Sequence, residues 1–307
     1  MHVMVTGGAG YVGSVLCKEL LNQGHEVTVY DTFKYGVSPI LHMACRHDFH
    51  YVRGDVRDYT FLKKVGSRCD AVIHLAGLVG APICEKNPIE AQEVHVTGTS
   101  NVVTVFQGKP IIYASTGSVY GKVEGVADEA YPCKPLSTYG QTKLDGEHIA
   151  KEAGAICGRF ATAFGVSPCM RFDLLLHDII YQAIRNQCFV MYQGHARRTF
   201  ISVQDIARFY LFALAMYNEI ENRVINVGSP DLSYTKKNIA DAVGLNFPLE
   251  IILKETQIDP DQRDYEVSYD LAGGLGFTAH DNIMTAIPQI GGLVKADLFE
   301  TKWRLQV

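Results

Sequence analysis

Short apolar runs alternate with longer amphipathic stretches through the first half of the chain. Residues 3–6, 27–30, 49–52, 71–75 and 111–115 are rich in β-branched and apolar residues and do not strictly alternate with polar ones. That pattern suits parallel strands buried on both faces, whereas a half-exposed strand would alternate with a period of two. Between them, residues 11–22, 59–65 and 89–106 carry helical periodicity, and Ser137 opens a further helix reaching about 153. Residues 155–160 read as another strand. Strands that alternate with helices imply right-handed crossovers and an α/β fold, a doubly wound parallel sheet of Rossmann type.

The pattern changes after about residue 164. Apolar pieces at 189–192, 223–227 and 249–253 mix with helices near 173–185, 203–217 and 234–243, punctuated by Gly165-Val166-Ser167-Pro168 and Gly228-Ser229-Pro230. Residues 1–165 are therefore assigned to a dinucleotide-binding domain. Residues 166–307 are assigned mainly to a smaller, partly discontinuous substrate-binding lobe that returns in part to the first domain. The chain carries no internal repeat and no low-complexity linker, so the two parts are expected to meet at a cleft.

The 307 residues carry a net charge of −5, with 47% hydrophobic and 20% charged positions. This composition excludes intrinsic disorder as the main state and argues against nonspecific nucleic-acid binding. The 8 cysteines form no Cys-x-x-Cys pair, so no metal site is expected. The opening His2-Val3-Met4-Val5-Thr6-Gly7 reads as a strand and not as a secretion signal. The most apolar stretch, 209–217, falls far short of the ~18 residues that span a bilayer. Reduced thiols, a cytoplasmic location and no membrane partner are the expectation.

Gly7, Gly10 and Gly13 follow the first strand and open a helix. Side chains there would block the tight turn, the approach of a backbone to a pyrophosphate and helix–strand packing. The helix N-terminus that begins with Tyr11 and Val12 offers N–H donors to phosphate. Asp31 ends the second strand, 18 residues after Gly13. A carboxylate there accepts from both hydroxyls of an adenosine ribose and repels a 2′-phosphate, which favours NAD over NADP. After the third strand, Asp55 and Val56 suit an adenine; Asp-Val there equally suits a helix N-cap.

Tyr139-Gly140-Gln141-Thr142-Lys143 sets a tyrosine and a lysine at i, i+4 on one helix face. An isolated match would be a surface tyrosine beside a solvated lysine. Here the pair follows the fifth strand and the hydroxyl-rich segment Ala114-Ser115-Thr116-Gly117-Ser118-Val119-Tyr120-Gly121. A nearby ammonium lowers a tyrosine pKa towards that of a working base. Hydroxyls at the carboxyl end of a parallel strand lie in the ligand crevice.

With His74-Leu75-Ala76-Gly77, Arg198-Thr199-Phe200-Ile201, Asp205, Asn226-Val227-Gly228 and Arg263 added, nearly the whole chain resembles the extended short-chain dehydrogenase/reductase family. It resembles specifically the NAD-dependent nucleotide-sugar epimerases and dehydratases. The resemblance implies NAD held by Gly7, Gly10, Tyr11, Val12, Gly13, Asp31, Asp55, Val56, Leu75 and Ala76. It implies Tyr139 as base, Lys143 on the nicotinamide ribose and Thr116 at the sugar, with no metal. Thr116, Thr162, Arg171, Arg198 and Arg263 are the implied substrate contacts, the guanidinium forks matching a diphosphate. Arg197 and His195 are further candidates. The dehydratases carry an Asp-Glu pair where this chain has Gly117 and Ser118, so elimination of water is demoted.

His95 stands where relatives usually carry Asn, and a packed core histidine is the plainer reading. Thr162 replaces a phosphate-contacting Asn. The runs 165–173 and 259–265 resemble a subgroup that includes nucleotide-linked heptose 4-dehydrogenases. The expected reaction is oxidation of a sugar hydroxyl, at C4, by hydride transfer to bound NAD. It leads to epimerisation or, as the alternative, to release of a 4-keto sugar. A non-catalytic NAD-binding regulator and a reductase of small ketones are the competing classes. The resemblance also implies a homodimer through helices 89–106 and 137–153, with an outer apolar stripe to which Val102, Val103 and Phe106 contribute.

Overall fold

The computed structural model describes residues 1–254 and 264–296. Seven parallel strands form the central sheet: β1 (His2–Thr6), β2 (Glu26–Asp31), β3 (Phe49–Arg53), β4 (Ala71–His74), β5 (Ile111–Thr116), β6 (Ile156–Phe160) and β7 (Val224–Val227). Their order is β7-β6-β5-β4-β1-β2-β3. The strand order reverses direction between β1 and β4, and the crevice beyond the carboxyl ends of these strands is where such sheets bind ligands.

Successive residues of each strand feed opposite faces. Val3, Val5, Ala71 and Ile73 pack into one apolar cluster, while Met4, Val72, Ile111 and Tyr113 pack into the other. The apolar runs of the inner strands follow from this double burial, whereas β3, at the edge of the sheet, exposes His50, Tyr51 and Arg53 and is not buried on both faces as expected. Strand β7, which lies among the short apolar pieces of the second half, completes the sheet beside β6. Helix Val203–Ala215 packs on helix Tyr11–Asn22, so this later segment also covers the central sheet.

Outside the sheet lie further strand pairs; the apolar pieces at 189–192 and 249–253 supply one of them, and the others carry no such pattern. Arg197–Ser202 sits between Thr162–Phe164 and Ser233–Thr235. Lys122–Ala127 pairs with Asp264–Val267, and Cys188–Met191 with Glu250–Leu253. Asp205 is buried and accepts from the His280 and Asp281 backbone N–H groups, tying a C-terminal segment to helix Val203–Ala215.

One helical expectation needs correction. The stretch 89–106 is not one regular helix: it runs as Pro88–Gln92, a π-helical turn at Glu93–Thr97 and Gly98–Val105. The wider turn shifts the helical phase of the residues after it. Val102 and Phe106 consequently face inward, fully buried with Val56 and Leu62, and do not form an outer stripe. Gly98 permits that approach, since a Cβ there would meet Val56 Cγ2 at 2.6 Å. Val103 is half-buried.

Candidate active site

A cavity of about 700 Å³ runs along the carboxyl ends of the central strands. Its floor at one end is the glycine turn. Gly7 has φ +72°, and a Cβ on it would lie 2.9 Å from the Ala76 nitrogen. A Cβ on Gly13 would lie 2.4 Å from the Gly7 carbonyl oxygen, so the helix can start this close to the turn only without one. Gly10 caps helix Tyr11–Asn22 with no side-chain hydrogen bond, and Gly10, Tyr11, Val12 and Gly13 all line the cavity. This is a cradle shaped for a phosphate group at a helix N-terminus.

Asp31 stands at the tip of β2. Its carboxylate accepts from Ala9 N at 3.0 Å and Phe33 N at 2.7 Å. Burial raises its pKa, and these two N–H bonds pull it back. Asp55 is clamped by Arg57, whose Nη2 lies 2.6 Å from Oδ2 and whose Nη1 reaches Glu93 at 2.8 Å. That hydrogen bond holds the Asp55 carboxyl below its ordinary range. The N-cap of the following helix is Asp58, not Asp55: its side chain accepts from Phe61 N. Val56, Leu75 and Ala76 complete this half of the wall.

At the other end stand Thr116, on the last turn of β5, and Tyr139 and Lys143 from helix Thr138–Glu152. Ser137 starts that helix by accepting from Gly140 N at 3.1 Å. Lys143 is buried, and desolvation pushes its pKa down to about 7 against the opposing pull of Cys157, Glu147 and Cys84. Of the hydroxyls on β5, Ser115 is committed: it donates to Glu147, which also pairs with Arg159 at 2.5 Å in a buried ion pair. Arg159 continues to the Tyr120 hydroxyl at 2.9 Å, and Tyr120 donates to Asn226 at 2.7 Å. Among the described residues, Thr116 bonds only within its own turn, accepting from Ser118 N and donating to Ser118 Oγ at 3.1 Å.

Two buried histidines brace this end. Thr99 donates to the His95 carbonyl at 2.6 Å, so His74 Nε2–H must donate to Thr99, 3.1 Å away. Its Nδ1 then accepts from Thr6 at 2.7 Å. Thr142 lies within hydrogen-bond distance of both His95 Nδ1, at 2.7 Å, and the Thr138 carbonyl, at 2.9 Å. Burial, reinforced by the Lys143 charge, pushes both imidazoles down to about 3, and both are neutral. His95 is packed in the core and also lines the cavity. Its ring edge lies against Tyr139, with centroids 6.0 Å apart. Gly77 is required beside it, because a Cβ would fall 2.8 Å from His95 Nε2.

Of the expected substrate contacts, Thr162 and Arg171 line the cavity, and the buried Thr162 hydroxyl has no hydrogen-bond partner among the described residues. Arg171 is held by Asp173 at 2.5 Å and reaches the Val79 carbonyl at 3.3 Å. Arg198 is buried in strand Arg197–Ser202, away from the cavity lining, and donates to the Arg197 carbonyl at 2.7 Å. Arg197 and His195 are exposed, both off the cavity. Arg263 lies outside the described residues. Tyr35, Phe160 and Tyr210 also line the cavity and carry no motif that would have revealed them. Among the described residues no cluster of His, Cys, Asp and Glu could hold a metal ion, and no helix is long and apolar enough to cross a membrane.

A doubly wound sheet with a phosphate cradle at one end of a cavity and a Tyr–Lys pair at the other is the plan of a dinucleotide-dependent enzyme. Residues 3–228 match the model of the NAD dependent epimerase/dehydratase family, and the chain belongs to that family. Its cofactor is NAD, and a glycine turn at a helix N-terminus, with Asp31 lining the same cavity, fits that group. The chain is 32% identical over 242 residues to a UDP-glucose 4-epimerase of Halalkalibacterium halodurans, covering 69% of this chain and 70% of that protein. It is 27% identical to a putative UDP-glucose 4-epimerase of Methanocaldococcus jannaschii, over 72% of this chain and 75% of the relative. In fold it resembles the UDP-glucuronic acid 4-epimerase of Bacillus cereus, solved with UDP-glucuronic acid and NAD. The TM-score is 0.86 at 24% identity, covering 96% of this chain and 99% of that one.

Proposed function

We propose that the protein epimerises a nucleotide-diphosphate sugar at C4, with a UDP-hexose as the first substrate to test. The observation that carries this reading is the convergence of Tyr139, Lys143 and Thr116 on the same cavity as the glycine cradle and Asp31. Bound NAD would supply the acceptor for the hydride of the oxidised carbon and, for epimerisation, its return to the opposite face, so that the cofactor ends unchanged. Tyr139 removes the proton of the sugar hydroxyl and returns it once the sugar has turned its other face. Lys143 brings positive charge to the tyrosinate, and Thr116 holds the sugar oxygen through its hydroxyl. Arg171 and Thr162 supply donors for the diphosphate or sugar, and Arg263 stays a proposed contact on its sequence motif alone. Position 117 is glycine and 118 is serine, neither of which serves as a carboxylic acid for elimination.

A homodimer through the outer faces of helices Gly98–Val105 and Thr138–Glu152 belongs to the same proposal, with half-buried Val96, Val103 and Ile149 as its apolar centre. Light scattering at micromolar concentration checks it, and a strictly monomeric mass sinks it. The eight free cysteines accord with a reducing compartment, the cytoplasm. The deciding experiment incubates the purified protein with NAD and UDP-, GDP-, CDP- and dTDP-hexoses and reads the products by NMR. The expected outcome is interconversion of 4-epimers of one nucleotide sugar. A 4-keto sugar accumulating with stoichiometric reduced cofactor would replace epimerase by dehydrogenase, and no turnover of any of them would overturn both.

A further inference from the structure

Lys143 presents a problem that the cavity alone does not solve. Its side chain is buried, and its ammonium makes no hydrogen bond among the described residues, yet a charged group is what its place beside Tyr139 requires. The ammonium instead lies over the face of the Tyr113 ring, 4.1 Å from the centroid. Tyr113 is on β5, is 1% exposed, and donates its hydroxyl to the Lys143 backbone carbonyl at 3.2 Å. The helix is built to admit this ring. Gly146 lies over the Tyr113 hydroxyl, where a Cβ would come within 2.4 Å of it.

We propose that Tyr113 is a positioning residue of the active site: the face of its ring holds the Lys143 ammonium at the cavity wall, one turn from Tyr139, and keeps it charged there. The negative face of an aromatic ring attracts a cation most strongly where water is excluded. The other groups around Lys143 divide by element. Glu147 on the same helix favours the charge but is shared with Arg159 and Ser115. Cys157 on β6 and Cys84 on helix Ala81–Lys86 are thiols held protonated by burial, with pKa values raised. His74 on β4 and His95 on the π-helical turn are neutral imidazoles, and Tyr139 is the reaction partner itself. Among the described residues, the Tyr113 ring is thus the one feature directly against the ammonium that is not already committed elsewhere.

The catalytic meaning of this contact rests on the proposed role of Lys143, whereas the contact itself is testable without cofactor. In protein labelled with ¹³C-lysine, the Lys143 Cε resonance, identified by its loss in Lys143→Met, is titrated against pH. The parent is compared with Tyr113→Phe, which keeps the ring face and loses the hydroxyl bond. The third protein carries 3,4,5-trifluorophenylalanine at position 113, which keeps the shape and withdraws the negative face. The parent and the phenylalanine protein should titrate together, and the trifluorinated one about 0.5–1 pH unit lower. Equal midpoints in all three overturn the proposal. So does a phenylalanine protein that shifts as far as the fluorinated one, because the hydroxyl bond would then be the operative contact. Calorimetry of the parent with NAD runs alongside: a parent that binds no NAD overturns the cofactor reading while the ring titration still decides the contact.

Discussion

The two ends of the cavity are built by different means. The end proposed for the cofactor is made of backbone: Gly7 and Gly13 allow close approaches that a Cβ would block, and a helix starts beside them at Gly10. The reacting end is made of buried side chains: Lys143 lies on the Tyr113 ring, Ser115 and Arg159 hold Glu147, and His74 and His95 brace the turn behind them. A backbone site tolerates change in its surroundings but no added atom within it. A side-chain site depends on protonation states that its neighbours set, so it should be the more sensitive of the two to pH.

The sharpest test of that contrast is Tyr139→Phe. Loss of the base should lower turnover by roughly 10²–10⁴ while NAD affinity stays within a few-fold, because the cradle is remote in construction. Steady-state rates with calorimetry in parallel would show it, and an equal loss in both would erase the division.

Acidification should come next. His74 and His95 are pushed down to about 3 and His177 to about 4, chiefly by burial. A histidine in the unfolded chain titrates near 6.5, so protons bind the unfolded state first. The stability contributed by these neutral imidazoles is complete above that value and is lost as the pH falls below it towards the folded values. Between pH 7 and 5.5 each should cost about 1 kcal/mol, roughly 3 kcal/mol together. Urea midpoints across that range measure this. A His95→Asn protein should lose less than the parent, and identical slopes would remove His95 from the account.

A smaller effect is expected at the other end. Gly13→Ala puts a methyl group against the backbone of Gly7 and Gly8, at 2.4 and 2.6 Å. It should cost about 1–3 kcal/mol of stability and at least tenfold in NAD affinity. Thermal melts with and without NAD separate the two, and unchanged affinity would mean that the turn does not touch the cofactor. Asp31→Ser should be the mildest, about tenfold weaker for NAD with a relative gain for NADP. Calorimetry with both dinucleotides checks the direction, and an undiminished preference for NAD would move ribose recognition away from Asp31.

These two constructions also explain what could be seen before the fold. The glycine spacing, Asp31 and the Tyr139/Lys143 spacing are local relations, set by the geometry of one turn or one helix, and they stand out in the residues themselves. The apolar piece at 223–227 stands out, but its place in the central sheet does not, nor do the pairs around Arg197–Ser202, because a four-residue strand does not say which sheet it joins. Val102 and Phe106 look like an outer stripe only if the helix is regular; the π-helical turn at Glu93–Thr97 rotates them inward. Arg198 carries a motif that points to a ligand, yet its placement in a buried strand depends on pairing with Ser233–Thr235, a contact far along the chain.

By itself, then, the order of residues determined the doubly wound sheet and singled out the glycine turn and the Tyr139/Lys143 pair, which the fold brings to one cavity. Each follows from short-range periodicity or from the conformations that glycine alone adopts. The tertiary structure decided which β5 hydroxyl is tied to a distant carboxylate, since only the fold brings Glu147 to Ser115. It also decided the tautomer of His74, through hydroxyls 25 and 68 residues away. The Tyr113 ring beneath Lys143 belongs to the same class. Burial and long-range neighbours set charge, and neither is written in local spacing.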